Sequence, residues 1–266
     1  MSVYADLLRY RELYGNLFRR DFEAKYRGSS LGVLWSVANP LLLMAIYLFV
    51  FSVVWTGFAT VDHYALFLLV GLAAWTFFAT SVQSSTRAML DNANLIRKTR
   101  FPRQLVPLSV VGAHLVSFVV MLALLLVLVF AVLPRARATE WLAVPLAAVF
   151  VAFVSGLALA LASLNVLFRD LEFIVAAILL PLFFLTPILY PLGGLPGLGS
   201  GHHWVIVALH YLNPIAPAIE AIRDPLFYGN LPAAGDVVYL LVASVVSLAL
   251  GAFVFRRVDD QIAIQV

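Results

Sequence analysis

The sequence contains no cysteine and few charged residues. None of its 266 residues is Cys, and Asp, Glu, Lys and Arg together make up 12%, against roughly 25% in soluble domains. The absence of Cys excludes disulfides, thiolate metal ligands and Cys nucleophiles within the chain. With 63% hydrophobic residues and a mean hydropathy of +0.99, the chain is predicted to be a membrane protein rather than a water-soluble enzyme.

The residues needed for catalysis are also scarce. No Gly is followed by Lys, so the phosphate-binding motif G-x-x-x-x-G-K-[ST] of ATPases is missing. His202, His203 and His210 lack the accompanying carboxylates of a defined metal site and are interpreted as interfacial polar residues. Almost no acids or bases lie in the apolar stretches. Transport is therefore favoured over catalysis, and no cofactor or metal is expected on this chain.

Six long apolar stretches predict an all-α integral membrane protein with six transmembrane helices. They cover residues 34–55, 64–82, 106–133, 142–167, 174–190 and 237–255. A spanning helix needs about 20 apolar residues. The fifth stretch is short and contains Pro181 and Pro187, each able to interrupt a helix. Because no repeat or linker divides the chain, a single membrane domain over residues 1–266 is expected.

Two segments outside these stretches have helical patterns of their own. In the first 33 residues one helix face carries Val3, Leu7, Tyr10, Tyr14, Leu17, Phe18 and Phe22. This pattern predicts an amphipathic interfacial helix on the membrane surface; a helix packed on a soluble partner is the alternative. Between the fifth and sixth spans, apolar patches at 204–212 and 215–228 are interrupted by Gly and Pro, and predict short re-entrant or interfacial helices.

Lys and Arg predict the orientation. An even number of spans places both termini on one side, where 14 of the 17 Lys and Arg residues then lie. Only Arg135, Arg137 and Arg223 fall on the other side. Since Lys and Arg favour the cytoplasm, both termini are predicted to be cytoplasmic. The chain then divides into an interfacial helix (1–33), a six-span region (34–255) and a cytoplasmic tail (256–266).

Several polar residues lie near the predicted span ends, and two groups of them allow two interpretations. The basic residues at 97–103 are either an ordinary membrane anchor or a contact for a partner. His114 and Asn165 have either a transport function or a hydrogen bond between helices. Glu172 is grouped with the adjacent Arg169 and Asp170 as an interfacial cluster whose charges satisfy one another.

Five segments in order resemble the membrane subunits of ABC transporters that export polysaccharides such as O-antigen, capsule and teichoic acid. They are RDFEAKYRGSSLGVLWSVANPL (20–41), NLIRKTRFPR (94–103), LNVLFRDLE (164–172), TPILY (186–190) and LNP (212–214). Together they extend over nearly the whole chain. The resemblance is therefore specific for the family, and less so for the substrate.

The resemblance implies a homodimeric permease in the bacterial inner membrane, bound to two copies of a separate ATP-binding subunit that carries the ATP and Mg²⁺. The substrate it implies is a polysaccharide on an undecaprenyl-type lipid, moved outward, and no nucleic acid is involved. In such permeases the loop after the second span contacts the ATPase. The matching coupling residues here are Thr86, Asp91, Asn94, Arg97 and Lys98. Residues 204–212 and 215–228 resemble the gate helices of the family.

Physical arguments add candidate substrate contacts. A pyrophosphate on the lipid carrier needs cations near the cytoplasmic membrane surface, and Lys25 and Arg27 precede the first span. An aromatic lining lets a sugar slide past without tight hydrogen bonds. Tyr47, Phe51, Phe183 and Phe184 are the candidate lining residues, and ordinary aromatic packing is the alternative for each of them.

Three other functions compete with polysaccharide export. A permease of the same fold could carry a drug or a lipid. A membrane scaffold for glycan assembly would have no ATPase partner in fixed stoichiometry. A membrane-embedded glycan or lipid transferase would form product without ATP, but the missing acids, bases and metal ligands argue against it.

Overall fold

The computed structural model describes residues 9–50, 62–98, 101–191 and 203–265, and they form helices joined by turns and short irregular segments. In these ranges there is no β-strand. The α-helices there are α1 (Arg11–Tyr26), α2 (Trp35–Phe49), α3 (Tyr64–Asp91), α4 (Ala93–Lys98), α5 (Leu105–Val132), α6 (Ala143–Leu167), α7 (Leu171–Leu185), α8 (His203–Tyr211), α9 (Ile215–Arg223) and α10 (Ala234–Gln265). The prediction of an all-α fold is confirmed.

Four of the six predicted spans are long enough to cross a membrane. They are Tyr64–Asp91, Leu105–Val132, Glu140–Leu167 and Ala234–Asp259. The helices α2 and α7 have 15 residues each, which is about 22 Å against a hydrocarbon core of about 30 Å. α7 ends early because Thr186 precedes Pro187 and is extended, with ψ 138°. The end of the predicted first span, at 51–55, lies outside the described residues.

α6 and α10 pack closely along their length. A Cβ built on Gly156 of α6 would lie 2.4 Å from the backbone of Ser247 on α10, so only glycine fits this contact. The Ser247 hydroxyl donates a hydrogen bond to the Phe153 carbonyl at 2.7 Å, and the Ser244 hydroxyl donates to the Val149 carbonyl at 2.9 Å. Small residues and hydroxyls that bond to the neighbouring backbone are typical of helix contacts in membranes.

α3 lies at the centre of the bundle, between α5 and α6. Its Phe77 ring stacks on Phe118 of α5 with ring centroids 4.8 Å apart. The same ring meets Phe150 of α6 edge-on at 6.0 Å. All three rings are buried, so this aromatic cluster fixes α3, α5 and α6 relative to one another.

α1 packs on α5 of the same chain. The two interpretations of its apolar face, the membrane surface and a soluble partner, did not include this contact. Gly112 of α5 makes room for it, since a Cβ there would lie 2.6 Å from the Tyr14 hydroxyl. Burial raises the pKa of this phenol, which donates to the Leu108 carbonyl at 3.4 Å. The Ser109 hydroxyl also donates to Asp21 of α1 at 2.6 Å. α1 is thereby fixed against the beginning of α5.

α8 and α9 are the two short helices that the interrupted apolar patches predict. Segments Trp204–Tyr211 and Ile215–Tyr228 meet at an angle of 93°. Asn213 lies at the bend, where its side-chain oxygen accepts a hydrogen bond from the Ile215 N–H at 3.1 Å. Their position in the membrane and their role as gates stay predictions.

Contacts between helix ends distinguish two ends of the bundle. One end holds α1, α4 and the last turns of α3 and α10, and we call it the basic end. There Arg103 forms an ion pair with Asp259 at 2.8 Å. At the opposite end the Thr139 hydroxyl donates to the Pro225 carbonyl at 2.9 Å. Residues 256–265 of the predicted tail continue the α10 helix.

Candidate functional site

A pocket opens near the basic end, between the last turn of α1 and the helices α2, α3 and α5. Its volume is about 450 Å³. Its walls are mainly apolar and include aromatic and polar side chains, among them Trp35, Asn39, Thr76, Phe77, Thr80 and Phe118. A lining of this kind suits a molecule that has both apolar and hydroxyl-bearing surfaces.

Lys25 is held at the rim of this pocket by two side chains of α5. Its ammonium donates to the Ser117 hydroxyl oxygen at 2.8 Å and lies 3.2 Å from His114 Nδ1. Because an ammonium has no acceptor, the imidazole nitrogen accepts this hydrogen bond. The Tyr26 hydroxyl lies 2.8 Å from the same Ser117 oxygen. The group is therefore a positioned cation that remains exposed to a ligand.

Arg27, the second predicted pyrophosphate contact, has a different position. It follows α1 in an extended backbone conformation, with ψ 126°, and its side chain is exposed. It is not among the residues that line the pocket. The structure thus places Lys25 in the pocket and Arg27 outside it.

The predicted coupling residues occupy the end of α3 and the short helix α4. α4 is anchored by Ile96, which is 6% exposed and packs in a cluster with Met89 and Val106. The other side of the segment exposes Asp91, Asn94, Arg97 and Lys98.

Thr86, the remaining coupling residue, lies inside the bundle. Its side chain is fully buried, and its hydroxyl donates to the Val82 carbonyl at 2.8 Å. Four of the five predicted coupling residues are therefore exposed near this end of the bundle, whereas Thr86 is buried.

Glu172 does not pair within the cluster predicted from its neighbours Arg169 and Asp170. Its carboxylate instead lies 3.1 Å from Arg87 Nε on α3, and the same nitrogen is 4.0 Å from Asp91. Sequence patterns could not predict this ion pair, because Arg87 and Glu172 are 85 positions apart.

Asn165, for which the sequence left two roles open, forms a hydrogen bond between helices. Its side-chain oxygen accepts from the Glu172 backbone N–H at 3.1 Å. Since Asn165 is fully buried at the end of α6, this bond fixes the beginning of α7.

The candidate lining residues differ in their accessibility. Phe183 of α7 is 7% exposed, because it lies between Tyr47 of α2 at 5.8 Å and Trp75 of α3 at 5.4 Å. Tyr47 is half-buried. Phe184, the next residue on α7, is 55% exposed. Phe51 lies outside the described residues.

Arg223 at the far end was predicted only as a residue of an outer loop, yet it is fully buried. Its Nη1 donates to Glu220 Oε1 and to the Pro187 carbonyl, each at 2.7 Å. The guanidinium lies 3.9 Å from the centroid of the Phe67 ring. Gly71 leaves the space for it, since a Cβ there would lie 2.6 Å from Arg223 Nη2.

Comparison with known proteins places this architecture in a family. Residues 12–227 match the family of ABC-2 type transporters. The O-antigen export system permease protein RfbA of Myxococcus xanthus is 35% identical over 261 residues, which cover 97% of this chain and 96% of that protein. Two proteins of the same name from Klebsiella pneumoniae are 34% identical over 214 residues (80% and 79% of the two chains) and 31% identical over 246 residues (92% and 91%). With its long apolar helices, the chain is a multi-pass membrane protein that belongs to the ABC-2 type transporter family.

Proposed function

We propose that this chain is the membrane-spanning subunit of an ABC exporter that moves a lipid-linked polysaccharide of the O-antigen type outward across a bacterial inner membrane. The observation that carries this proposal is the match to an O-antigen export permease over 97% of the chain. ATP hydrolysis belongs to a separate subunit, because the sequence has no P-loop motif. The complex contains two copies of each subunit.

The basic end of the bundle faces the cytoplasm. The placement of Lys and Arg in the sequence supports this orientation. The ATP-binding subunit docks on the exposed side of α4 and on the last residue of α3, through Asp91, Asn94, Arg97 and Lys98. Their common exposure at one end of the bundle supports this docking surface.

The diphosphate of the lipid carrier binds at Lys25. A positioned ammonium forms strong, charge-assisted hydrogen bonds with phosphate oxygens, and Ser117 and His114 hold this one at the rim of the pocket. The exposed Arg27, two residues further along the chain, supplies a second cation from outside the pocket. The polar and aromatic walls accept the part of the glycan next to the diphosphate.

Two copies of the chain enclose the polysaccharide path between their α2 and α7 helices. Both helices expose large apolar side chains that this chain leaves uncovered, such as Ile46, Phe49 and Phe184. A second copy covers part of these faces. Phe184 and Tyr47 then line the path, together with Phe51.

Purification and depletion test this proposal together. The tagged chain, isolated in mild detergent from its native membrane, is expected to carry an equimolar P-loop ATPase at a mass that fits two copies of each. Depletion of the chain is expected to leave the lipid-linked glycan on the cytoplasmic side. An abundant, folded chain without an ATPase would contradict the proposal and favour a scaffold. Accumulation of a drug or an unglycosylated lipid instead would indicate a different substrate.

A further inference from the structure

α7 is tied to the basic end of the bundle at its first turn. The Glu172 carboxylate lies 3.1 Å from Arg87 Nε, in the last turns of α3. The Glu172 backbone N–H donates to the buried Asn165 side chain at 3.1 Å. One residue of α7 is thus bonded both to α3, just before the exposed α4 segment, and to the end of α6.

α7 is tied to the α8–α9 bend just after its last turn. The Thr186 hydroxyl donates to the Leu182 carbonyl at 2.6 Å and accepts a hydrogen bond from Asn213 Nδ2 at 2.7 Å. Asn213 also holds the first N–H of α9, on Ile215, at 3.1 Å. Thr186 is fully buried and Asn213 is 6% exposed, so water does not compete for this bond.

Between these two ties α7 has few buried side chains. Only Val175 and Phe183 of the helix are buried, whereas Ile178 and Leu180 are 54% and 66% exposed. α3, in contrast, is buried in the core over most of its length and cannot shift without its neighbours. Within the single chain, α7 therefore has few core contacts between two ends that are bonded to opposite ends of the molecule.

We propose that α7 transmits the movement of the ATPase-contacting α4 segment to the α8–α9 bend, with Glu172 and Thr186 as positioning residues. This inference rests on the proposed function. Arg87 lies between Glu172 and Asp91, the residue just before the turn into α4. A shift of α4 moves Asp91 and the Arg87 side chain beside it, and the Arg87–Glu172 ion pair carries this shift to the first turn of α7. Thr186 then carries this displacement to Asn213.

The test uses the whole complex with its ATPase in proteoliposomes and measures both ATP hydrolysis and glycan movement. Glu172→Gln removes the charge that pairs with Arg87, and Thr186→Val removes the hydroxyl that accepts from Asn213; both variants keep side-chain size. Each is expected to lower glycan moved per ATP by about fivefold or more, with hydrolysis within about twofold of the wild type. In the double variant, glycan moved per ATP is expected to be no lower than in the more impaired single variant, because both substitutions act on one connection.

Matched controls separate coupling from damage to the fold. Asp170→Asn removes an exposed carboxylate next to the same turn, and Thr186→Ser keeps the hydroxyl. Both are expected to retain the wild-type ratio of glycan to ATP. The exchanged pair Arg87→Glu/Glu172→Arg is expected to recover part of the ratio lost in Glu172→Gln.

The outcomes separate this inference from the proposed function. If the wild-type complex moves no glycan, the proposed function fails. If the wild type exports and both single variants keep its ratio of glycan to ATP, the role of α7 is overturned. Losses that simply multiply in the double variant would also overturn it. If Glu172→Gln does not assemble, Thr186→Val and the exchanged pair test the inference instead. A wild-type ratio of glycan to ATP in Thr186→Val rejects it. A lowered ratio in Thr186→Val, together with export by the exchanged pair, supports it.

Discussion

Gly251 of α10 lies so close to Gly156 of α6 that a Cβ built on Gly251 would stand 2.4 Å from the Gly156 carbonyl oxygen. The two backbones are in contact there, and α6 and α10 form the most extensive helix pair in the described part of the chain. No flexible side chain can give way at this point. The contact therefore depends on glycine at both positions.

Gly251→Ala is expected to lower the stability of the protein by about 1–3 kcal/mol or more, because the added methyl group forces two backbones apart. Thermal unfolding in detergent, followed by size-exclusion chromatography, measures the effect. Gly15→Ala on α1 is the matched control, since a Cβ there meets nothing within 4 Å. Equal stability of the two variants would show that α6 and α10 are not tightly packed in the membrane.

Arg223→Met is expected to destabilise the protein by about 3–5 kcal/mol, since it leaves the Glu220 carboxylate unpaired in a buried site. The double variant Glu220→Gln/Arg223→Met removes both charges and is expected to regain much of that loss. The yield of folded protein and its unfolding temperature report both effects. A double variant as unstable as the single one would argue against a charge pair as the cause.

Lys25→Ala is expected to lower export about tenfold or more, as the loss of a charge-assisted hydrogen bond costs about 1.5–3 kcal/mol. Assembly with the ATPase is expected to persist, because Lys25 lies on the pocket rather than on α4. Export of labelled glycan into proteoliposomes measures the change, and Arg19→Ala provides a control on the same helix. Should Lys25→Ala/Arg27→Ala export normally at normal expression, these residues do not bind the diphosphate.

Arg97→Ala/Lys98→Ala is expected to weaken retention of the ATP-binding subunit, because both side chains are exposed on α4. Thr86→Val is expected to leave retention unchanged, since the Thr86 hydroxyl is satisfied inside the bundle by the Val82 carbonyl. The amount of ATPase that co-purifies per copy of the chain measures both. Loss of the ATPase with Thr86→Val alone would place the contact differently.

Phe183→Ala is expected to lower the stability of the protein, whereas Phe184→Ala is expected to lower export. Phe183 is buried against Tyr47 and Trp75, so its truncation costs about 3–5 kcal/mol of stability. Phe184 is 55% exposed, and its truncation is expected to impair export while the unfolding temperature changes little. Normal export by Phe184→Ala would remove it from the polysaccharide path.

Sequence reasoning located correctly those spans in which one long apolar run is enough to specify a membrane-crossing helix. α3, α5, α6 and α10 are of this kind. The fifth predicted span extends to residue 190, whereas α7 ends at Leu185, because the extended conformation that Pro187 imposes on Thr186 outweighs the apolar composition of the following residues.

The side-chain partners were less predictable, because they depend on contacts between distant residues. Nothing near Arg223 in the sequence indicates that Phe67 and Gly71 surround its guanidinium. Lys25 was found from charge and position alone, whereas its pocket needs side chains from four helices. Charge patterns along the chain predict which residues are cations, and only the fold decides which of them are buried or paired.

The shortness of α7 has a consequence for the lipid around it. As the fifth predicted span, α7 is about 22 Å long and is shorter than a bilayer core of about 30 Å; lipids adapt to such a hydrophobic mismatch by thinning. Any part of α7 that a second copy leaves uncovered, where Ile178 and Leu180 are exposed in the single chain, would meet the thinner bilayer. A thinner bilayer shortens the distance that a polar headgroup must cross. Longer acyl chains are therefore expected to slow export, which proteoliposomes made from lipids of increasing chain length would measure.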